Sequence, residues 1–289
     1  MSSPPRIDAH HHVWSLARGD YGWLTPRLAR IYRDFTLDDL RPQLRAVRVD
    51  ATVLVQAAPT LAETEFLLDV AAASGGLVQG VVGWIDLAST HAIATLERLA
   101  GNPLLKSIRP MLQDLDDPAW ILRPDVGATL SAIASLGLRF DALVKTRELP
   151  ALLQLVERQP DLAIVIDHGA KPAIASRAWQ PWADLVAAAA SHPQVCCKLS
   201  GLVTEAEPEW TADSLRPYVD HLLACFGSQR LLWGSDWPVV NLAGGYERWI
   251  SATDVLLASL PAQERTNVIG GNARVFYGLG NLVSLPQRE

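Results

Sequence analysis

Three histidines stand in a row near the start of the chain, in Asp8-Ala9-His10-His11-His12, and two residues of matching chemistry, His168 and Asp236, stand far from them. Each of the three groups closes a short apolar run. Side chains two apart on a strand share a face, so Asp8, His10 and His12 are expected on one side and His11 on the other. Two rises of about 3.3 Å keep the imidazoles of His10 and His12 close enough to meet one ion or one substrate oxygen. The same parity groups Ile164, Ile166 and His168, and likewise Leu232, Gly234 and Asp236. Three imidazoles and a carboxylate form a nitrogen–oxygen set suited to one Zn²⁺ or a similar divalent ion. Without metal, the same four groups could bind a carbonyl and activate a water. Taken singly, each group has a plainer explanation: a tag remnant, a hydrogen-bonded core histidine, or a helix N-cap at Asp236. Their joint placement at strand ends favours a shared site.

Such a site needs elements that bring distant residues together. Eight segments have strand character: 7–12, 51–57, 78–85, 104–111, 138–145, 163–169, 194–201 and 230–236. Most are rich in Val, Ile and Leu without clean alternation, as expected for strands covered on both faces. Helical patterns lie between them. Thr60-Leu61-Ala62-Glu63 has the form of a capping box, and Gly75-Gly76 can end the helix it starts. Thr36 with Asp39, Pro150 before 151–158, and 211–226 give similar signals. Eight strands alternating with helices mean either a (β/α)8 barrel or a doubly wound sheet. No Gly-x-Gly-x-x-Gly follows an early strand, which weighs against the dinucleotide-binding open sheet. With no low-complexity linker to divide it, the chain reads as one α/β domain over residues 1–289, a (β/α)8 TIM barrel. Its active site would lie on the C-terminal face. Two long loops can shape that face. One spans 13–35 with Trp14, Tyr21 and Trp23, and the other spans 237–247 with Asn241 and Gly244-Gly245-Tyr246.

Composition narrows the class. With 49% hydrophobic and 19% charged residues the chain can build a sizeable core. A net charge of −6 disfavours a sequence-independent grip on nucleic acid. Cys196 and Cys197 are neighbours that point to opposite faces, so a disulfide framework is not expected and a reducing compartment is. Met1-Ser2-Ser3-Pro4-Pro5 lacks a signal-peptide stretch, and no run reaches the ~20 apolar residues of a membrane span. A soluble cytoplasmic protein is expected. Lysine is scarce: Lys106, Lys145, Lys171 and Lys198 are the four in the chain, against 21 arginines. All four lie within or just after strand segments. Lys145, Lys171 and Lys198, with Arg109, are therefore candidate cations for a substrate carbonyl or product carboxylate. The alternative is that they pair with carboxylates such as Asp114 or Asp141. Trp14, Trp84, Trp120 and Trp237 follow strand ends, where indole faces suit the apolar side of a ligand ring. Gln56 and Asn241 could hydrogen-bond its polar groups, and Trp14 is the favoured aromatic contact.

Four stretches carry a family resemblance: Ile7-Asp8-Ala9-His10-His11-His12-Val13-Trp14, Ile166-Asp167-His168-Gly169-Ala170-Lys171-Pro172, Lys198-Leu199-Ser200-Gly201 and Leu232-Trp233-Gly234-Ser235-Asp236-Trp237-Pro238. In these, the chain resembles the amidohydrolase superfamily, in its amidohydrolase-2 branch of barrel lactonases and related hydrolases. It looks nearest to sugar lactonases that open L-fuconolactone, L-rhamnonolactone or similar aldonolactones. The resemblance implies that His10 and His12 are the paired first-strand histidines, His168 the sixth-strand histidine and Asp236 the eighth-strand aspartate. One departure is that the fifth segment, 138–145, holds no histidine, although Lys145 ends it; this argues against a two-metal centre. The branch has members with and without a metal requirement. A lactone is an activated ester, so its carbonyl needs less polarisation than an amide.

The resulting expectation is hydrolysis of a small sugar lactone. Asp236 acts as general base, and His10, His12 and His168 polarise the carbonyl or hold a metal. Asp8 is expected to fix a histidine tautomer. Two rivals stand beside it: a metal-dependent decarboxylase of an aromatic or muconate-like acid, and a non-catalytic barrel that binds a sugar acid.

Overall fold

The structure, a computed structural model, describes residues 5–280. Residues Met1–Pro4, part of the segment expected to lack a signal-peptide run, and residues 281–289 lie outside that range. Eight strands form one parallel sheet in sequence order: β1 (Ile7–His11), β2 (Ala51–Val55), β3 (Val78–Gly83), β4 (Leu105–Ile108), β5 (Arg139–Ala142), β6 (Ile164–Ile166), β7 (Val195–Leu199) and β8 (Leu231–Trp233). A doubly wound sheet would reverse its strand order, and this one does not. The ring is completed just past β8, where the Asp236 N–H donates to the His10 carbonyl at 2.8 Å and the His12 N–H to the Trp237 carbonyl at 2.6 Å. The strands end earlier than their apolar runs do. His12, His168 and Asp236 stand just beyond the ladder, where side chains are released toward the C-terminal mouth.

Both strand faces are apolar because each has its own packing partner. Ile7, Ala9, Val53, Val55, Val82, Val165 and Leu232 form an inner cluster with Ala273, Phe276 and Leu279 from the C-terminal segment. The other face, with Leu54, Val81, Phe140, Ile166, Leu199 and Trp233, packs in the large outer core beneath the helices. The principal helices are α1 (Leu37–Ala46), α2 (Leu61–Ala72), α3 (Ala92–Ala100), α4 (Pro124–Ser135), α5 (Leu149–Arg158), α6 (Trp182–Ala190), α7 (Ala212–Phe226) and α8 (Tyr246–Leu256). Among the described residues, no helix is long and apolar enough to cross a membrane.

One local irregularity decides the site. On β1, Asp8 pairs with Thr52 and His11 with Leu54, so Ala9 and His10 together oppose a single residue of β2. This bulge breaks the alternation assumed from the sequence. Ala9 and His10 both turn inward, and Asp8 is thrown to the opposite side from His10. The expectation that Asp8, His10 and His12 share a face is therefore corrected. Asp8 points at helix α8 instead, where its Oδ2 accepts from the Tyr246 hydroxyl at 3.0 Å, while Oδ1 accepts from the Ser235 N–H at 2.8 Å. It fixes backbone, not an imidazole.

The capping box at Thr60 is half formed. Thr60 Oγ1 accepts from the Glu63 N–H at 3.1 Å. The Glu63 carboxylate does not return to Thr60; it accepts from the N–H groups of Ala57 and Ala58, at 3.0 and 2.5 Å, and so clamps the loop after β2. Burial pushes this carboxyl up to about 7 from its ordinary 4.5, against the pull of those two N–H groups. The folded protein therefore binds the Glu63 proton more tightly than the unfolded chain. Its contribution is fully present below pH 4.5 and is lost as pH rises to about 7, by about 3 kcal/mol in total. Glu63→Gln removes this loss. Urea unfolding at pH 5 and pH 8 should show the stability of the variant rising relative to wild type between the two; a constant difference contradicts the assignment.

Candidate active site

The barrel brings His10, His12, His168 and Asp236 to one place. Oδ1 of Asp236 lies 3.4 Å from His12 Nε2, 3.7 Å from His10 Nε2 and 3.9 Å from His168 Nε2. The two first-strand imidazoles are 3.2 Å apart, Nε2 to Nε2. His12 donates from Nδ1 to the Val55 carbonyl at 2.8 Å, which leaves its Nε2 lone pair facing the site. Ser200 Oγ is 2.8 Å from His168 Nδ1 and orients that ring. His11 turns away and meets Thr52 Oγ1 at 2.9 Å.

Two glycines make room for these rings. A Cβ on Gly201 would lie 2.5 Å from Cγ and Nδ1 of His168, and one on Gly234 would lie 2.7 Å from Cβ of His10. The motif residues around them thus have a steric reason as well as a chemical one. His168 and Asp236 themselves have φ of 55° and 58°, in the left-handed region. His168 begins a run of four such residues, His168 to Lys171. A left-handed non-glycine residue costs about 1–2 kcal/mol, so the surrounding packing must hold this turn in place.

Beneath the histidines lies a dry charge cluster. The Lys198 ammonium is fully buried, 2.5 Å from Asp141 Oδ2, 3.0 Å from Asp167 Oδ1 and 3.1 Å from His10 Nδ1. Arg109 holds the other oxygen of Asp167 at 3.0 Å and also donates to the Gln56 carbonyl. Asp141 further accepts from Ser107 at 2.5 Å and from the Tyr277 hydroxyl at 2.7 Å. Burial pushes Asp167 up, but Lys198 and Arg109 hold it well below the usual carboxylate range. Asp141 is raised by burial in spite of Lys198.

Burial lowers His10 well below its ordinary value, with Lys198 adding to the effect, and lowers His168 to about 4. Both rings are therefore uncharged at neutral pH. Burial alone would raise Asp236, yet His168, His12 and nearby Lys171 more than offset it, and the carboxyl stays below its ordinary value. The result is an ionised carboxylate beside the neutral rings of His10 and His168.

Two triads here have ligand atoms within 4.8 Å of one another, His10–His12–Asp236 and His10–Asp167–His168. The first has the donor set, the burial and the open Nε2 of His12 that a divalent ion requires. In the second, the Lys198 ammonium already sits against His10 Nδ1 and Asp167. The arrangement fits one divalent ion.

Other residues singled out from the sequence lie at varying distances from this centre. Trp14 is 1% exposed; it stacks on His12 at 6.4 Å between ring centroids and donates its indole N–H to the Arg33 carbonyl. It backs the histidine. Arg109 and Lys198 are spent on Asp167 and Asp141, so the carboxylate-pairing alternative holds for both. Lys171 is half-buried, acts electrostatically on His168 and Asp236, and lies 3.9 Å from Glu205. Lys145 is exposed at the rim, and Asn241 is half-buried in the 3-10 turn Val239–Ala243. The sequence reading gave no role to Asp167 or Ser200 and named Asp141 only as a carboxylate that a lysine could pair with. The signal was present: Asp141 and Asp167 are carboxylates set in otherwise apolar runs.

Gly201→Ala tests the seating of His168. The added Cβ, at a position with φ of 62°, should lower the unfolding free energy by about 2 kcal/mol. Urea denaturation reads this directly. A midpoint equal to that of wild type would mean that the His168 ring does not rest on residue 201.

Comparison with known proteins agrees with this geometry. The amidohydrolase family profile matches residues 7–279. An L-fucono-1,5-lactonase of Burkholderia ambifaria is 47% identical, over 94% of this chain and 95% of its own. A second L-fucono-1,5-lactonase, from Burkholderia multivorans, is 35% identical over 95% of this chain and 96% of its own. The crystal structure of an amidohydrolase from Burkholderia multivorans with bound zinc superposes with a TM-score of 0.90 at 34% identity, covering 96% of this chain and all of that one. The chain belongs to the amidohydrolase family.

Proposed function

We propose that the protein hydrolyses a small sugar lactone, of the L-fucono-1,5-lactone kind, to its aldonic acid. The observation that carries this reading is the convergence of three imidazoles on one ionised carboxylate at the mouth of the barrel. The 47% identity to an L-fucono-1,5-lactonase supports the choice of substrate class.

In this mechanism Asp236 takes a proton from water as the water oxygen attacks the lactone carbonyl carbon. The ring C–O bond then breaks, and Asp236 returns the proton to the departing ring oxygen. The new carboxylic acid ionises, so one proton reaches the solvent per turnover at neutral pH. The contacts to the three imidazoles all use Oδ1 of Asp236, which leaves Oδ2 as the oxygen for the proton transfer. His168, oriented by Ser200, faces the same oxygen and helps place the developing oxyanion. A divalent ion such as zinc, held by His10, His12 and Asp236, would supply Lewis-acid polarisation of the carbonyl. The three cysteines are free, in keeping with a reducing cytoplasmic setting.

Proton release at constant pH, across a panel of aldonolactones with metal-stripped and zinc-supplemented protein, tests the proposal. Wild type should turn over a neutral aldonolactone, and Asp236→Asn should lower kcat at least 1000-fold with an unchanged circular dichroism spectrum. Near-normal turnover in that variant would remove Asp236 from its role. Carbon dioxide release from an aromatic acid, with silence on every lactone, would replace the hydrolase with a decarboxylase.

A further inference from the structure

The floor of the barrel reaches the catalytic groups through one side chain. Tyr277 follows the short helix Asn272–Phe276, and its chain neighbours are anchored on both sides. Arg139 on β5 donates to the Phe276 carbonyl at 2.7 Å, and Lys106 on β4 donates to the Gly278 carbonyl at 3.4 Å. The Tyr277 hydroxyl donates to Oδ2 of Asp141 at 2.7 Å, the same oxygen that receives the Lys198 ammonium. That ammonium also lies over the Tyr277 ring, 5.6 Å from its centroid.

An ammonium has three N–H donors and no acceptor. Those of Lys198 meet Asp141 Oδ2, Asp167 Oδ1 at 3.0 Å and His10 Nδ1 at 3.1 Å. His10 Nδ1 is therefore the accepting nitrogen, and the neutral ring carries its proton on Nε2. The far side of the ring agrees. His12 donates from Nδ1 to the Val55 carbonyl, so its Nε2 is an acceptor, and His10 Nε2 lies 3.2 Å from it. An N–H and a lone pair suit that distance; two lone pairs do not. The other tautomer would offer its proton to Asp167 Oδ1 at 3.6 Å and turn a lone pair on Asp236 Oδ1 at 3.7 Å.

We propose that Tyr277 is a positioning residue: through Asp141 and Lys198 it keeps the His10 ring proton on Nε2, facing His12 and Asp236. Its effect on turnover rests on the lactonase reading and deepens it, whereas its effect on the ring stands apart from that reading. With the hydroxyl in place, two donors share Asp141 Oδ2 and the ammonium reaches Asp167 and His10 as well. Without it, Lys198 is drawn toward that oxygen and away from His10. A divalent ion bound at His10 Nε2 would take the place of the proton, so the ring is read in metal-stripped protein.

Histidine ¹⁵N spectra at pH 8 read the tautomer. Steady-state kinetics on L-fucono-1,5-lactone, in the more active of the metal-stripped and zinc-supplemented forms, read its consequence. Wild type should show His10 protonated on Nε2; protonation on Nδ1 overturns the proposal. Tyr277→Phe should shift His10 toward the Nδ1-protonated form and lower kcat about tenfold, with KM within twofold of wild type. An unchanged His10 spectrum in that variant, or an unchanged kcat, overturns it too. Phe276→Leu loosens the same segment but keeps the hydroxyl, so its kcat should stay within twofold; an equal loss would assign the effect to packing instead. If Tyr277→Phe does not fold, Ser107→Ala takes its place, since it removes the donor on the other oxygen of Asp141. The same shift at His10 is expected there, and no shift overturns the proposal. If wild type turns over no aldonolactone in either form, the spectra decide alone: the expected pair upholds the relay while the lactonase reading falls.

Discussion

A single buried ammonium ties the centre of this barrel together. Lys198 reaches from β7 to Asp141 on β5, to Asp167 just past β6 and to His10 on β1, so one side chain spans half the ring. Removing one partner from such a cluster leaves an uncompensated charge in a dry interior, at a cost of about 3–5 kcal/mol. That penalty makes the arrangement close to all-or-none. The same ammonium adds to the burial that keeps His10 uncharged, since a second cation is disfavoured against it. Arg109 from the β4 side then completes the neutralisation of Asp167. The C-terminal segment joins in from below, where Tyr277 donates to Asp141. A buried network of this kind is weak evidence for stability and better evidence for a fixed geometry.

Above the cluster, geometry is set by backbone devices. The β1 bulge turns His10 into the barrel and sends Asp8 outward to hold the Ser235 N–H. Gly234 and Gly201 supply the space that the His10 and His168 side chains occupy. Asp236 is pinned through its own N–H to the His10 carbonyl, one of the bonds that closes the ring. Closure of the fold and assembly of the site therefore use the same residues. A chain that fails to close loses the site as well.

Much of this was legible from residue types. The apolar runs marked all eight strands because a parallel barrel covers both faces of each strand. His10, His12, His168 and Asp236 stood out because polar groups that end apolar strands emerge at one face of a barrel. What stayed hidden depended on partners across the ring. The side on which Asp8 lies follows from Ala9 and His10 sharing one opposing residue on β2, and no pattern within β1 records that. The destination of the Glu63 carboxylate depends on the loop after β2, which the capping-box pattern does not encode. The scarcity of lysine pointed to Lys198 as special, yet only the packed structure shows it facing two carboxylates in place of solvent.

The central claim is that burial keeps His10 and His168 unprotonated around an ionised Asp236. Side-chain ¹⁵N resonances of the histidines in metal-stripped protein, followed from pH 8 to pH 5, test it most directly. Neutral imidazole shifts for both rings down to pH 5, with His168 beginning to protonate only as the pH approaches about 4, are the result this account predicts. Imidazolium shifts appearing near the ordinary histidine value of 6.5 would contradict it.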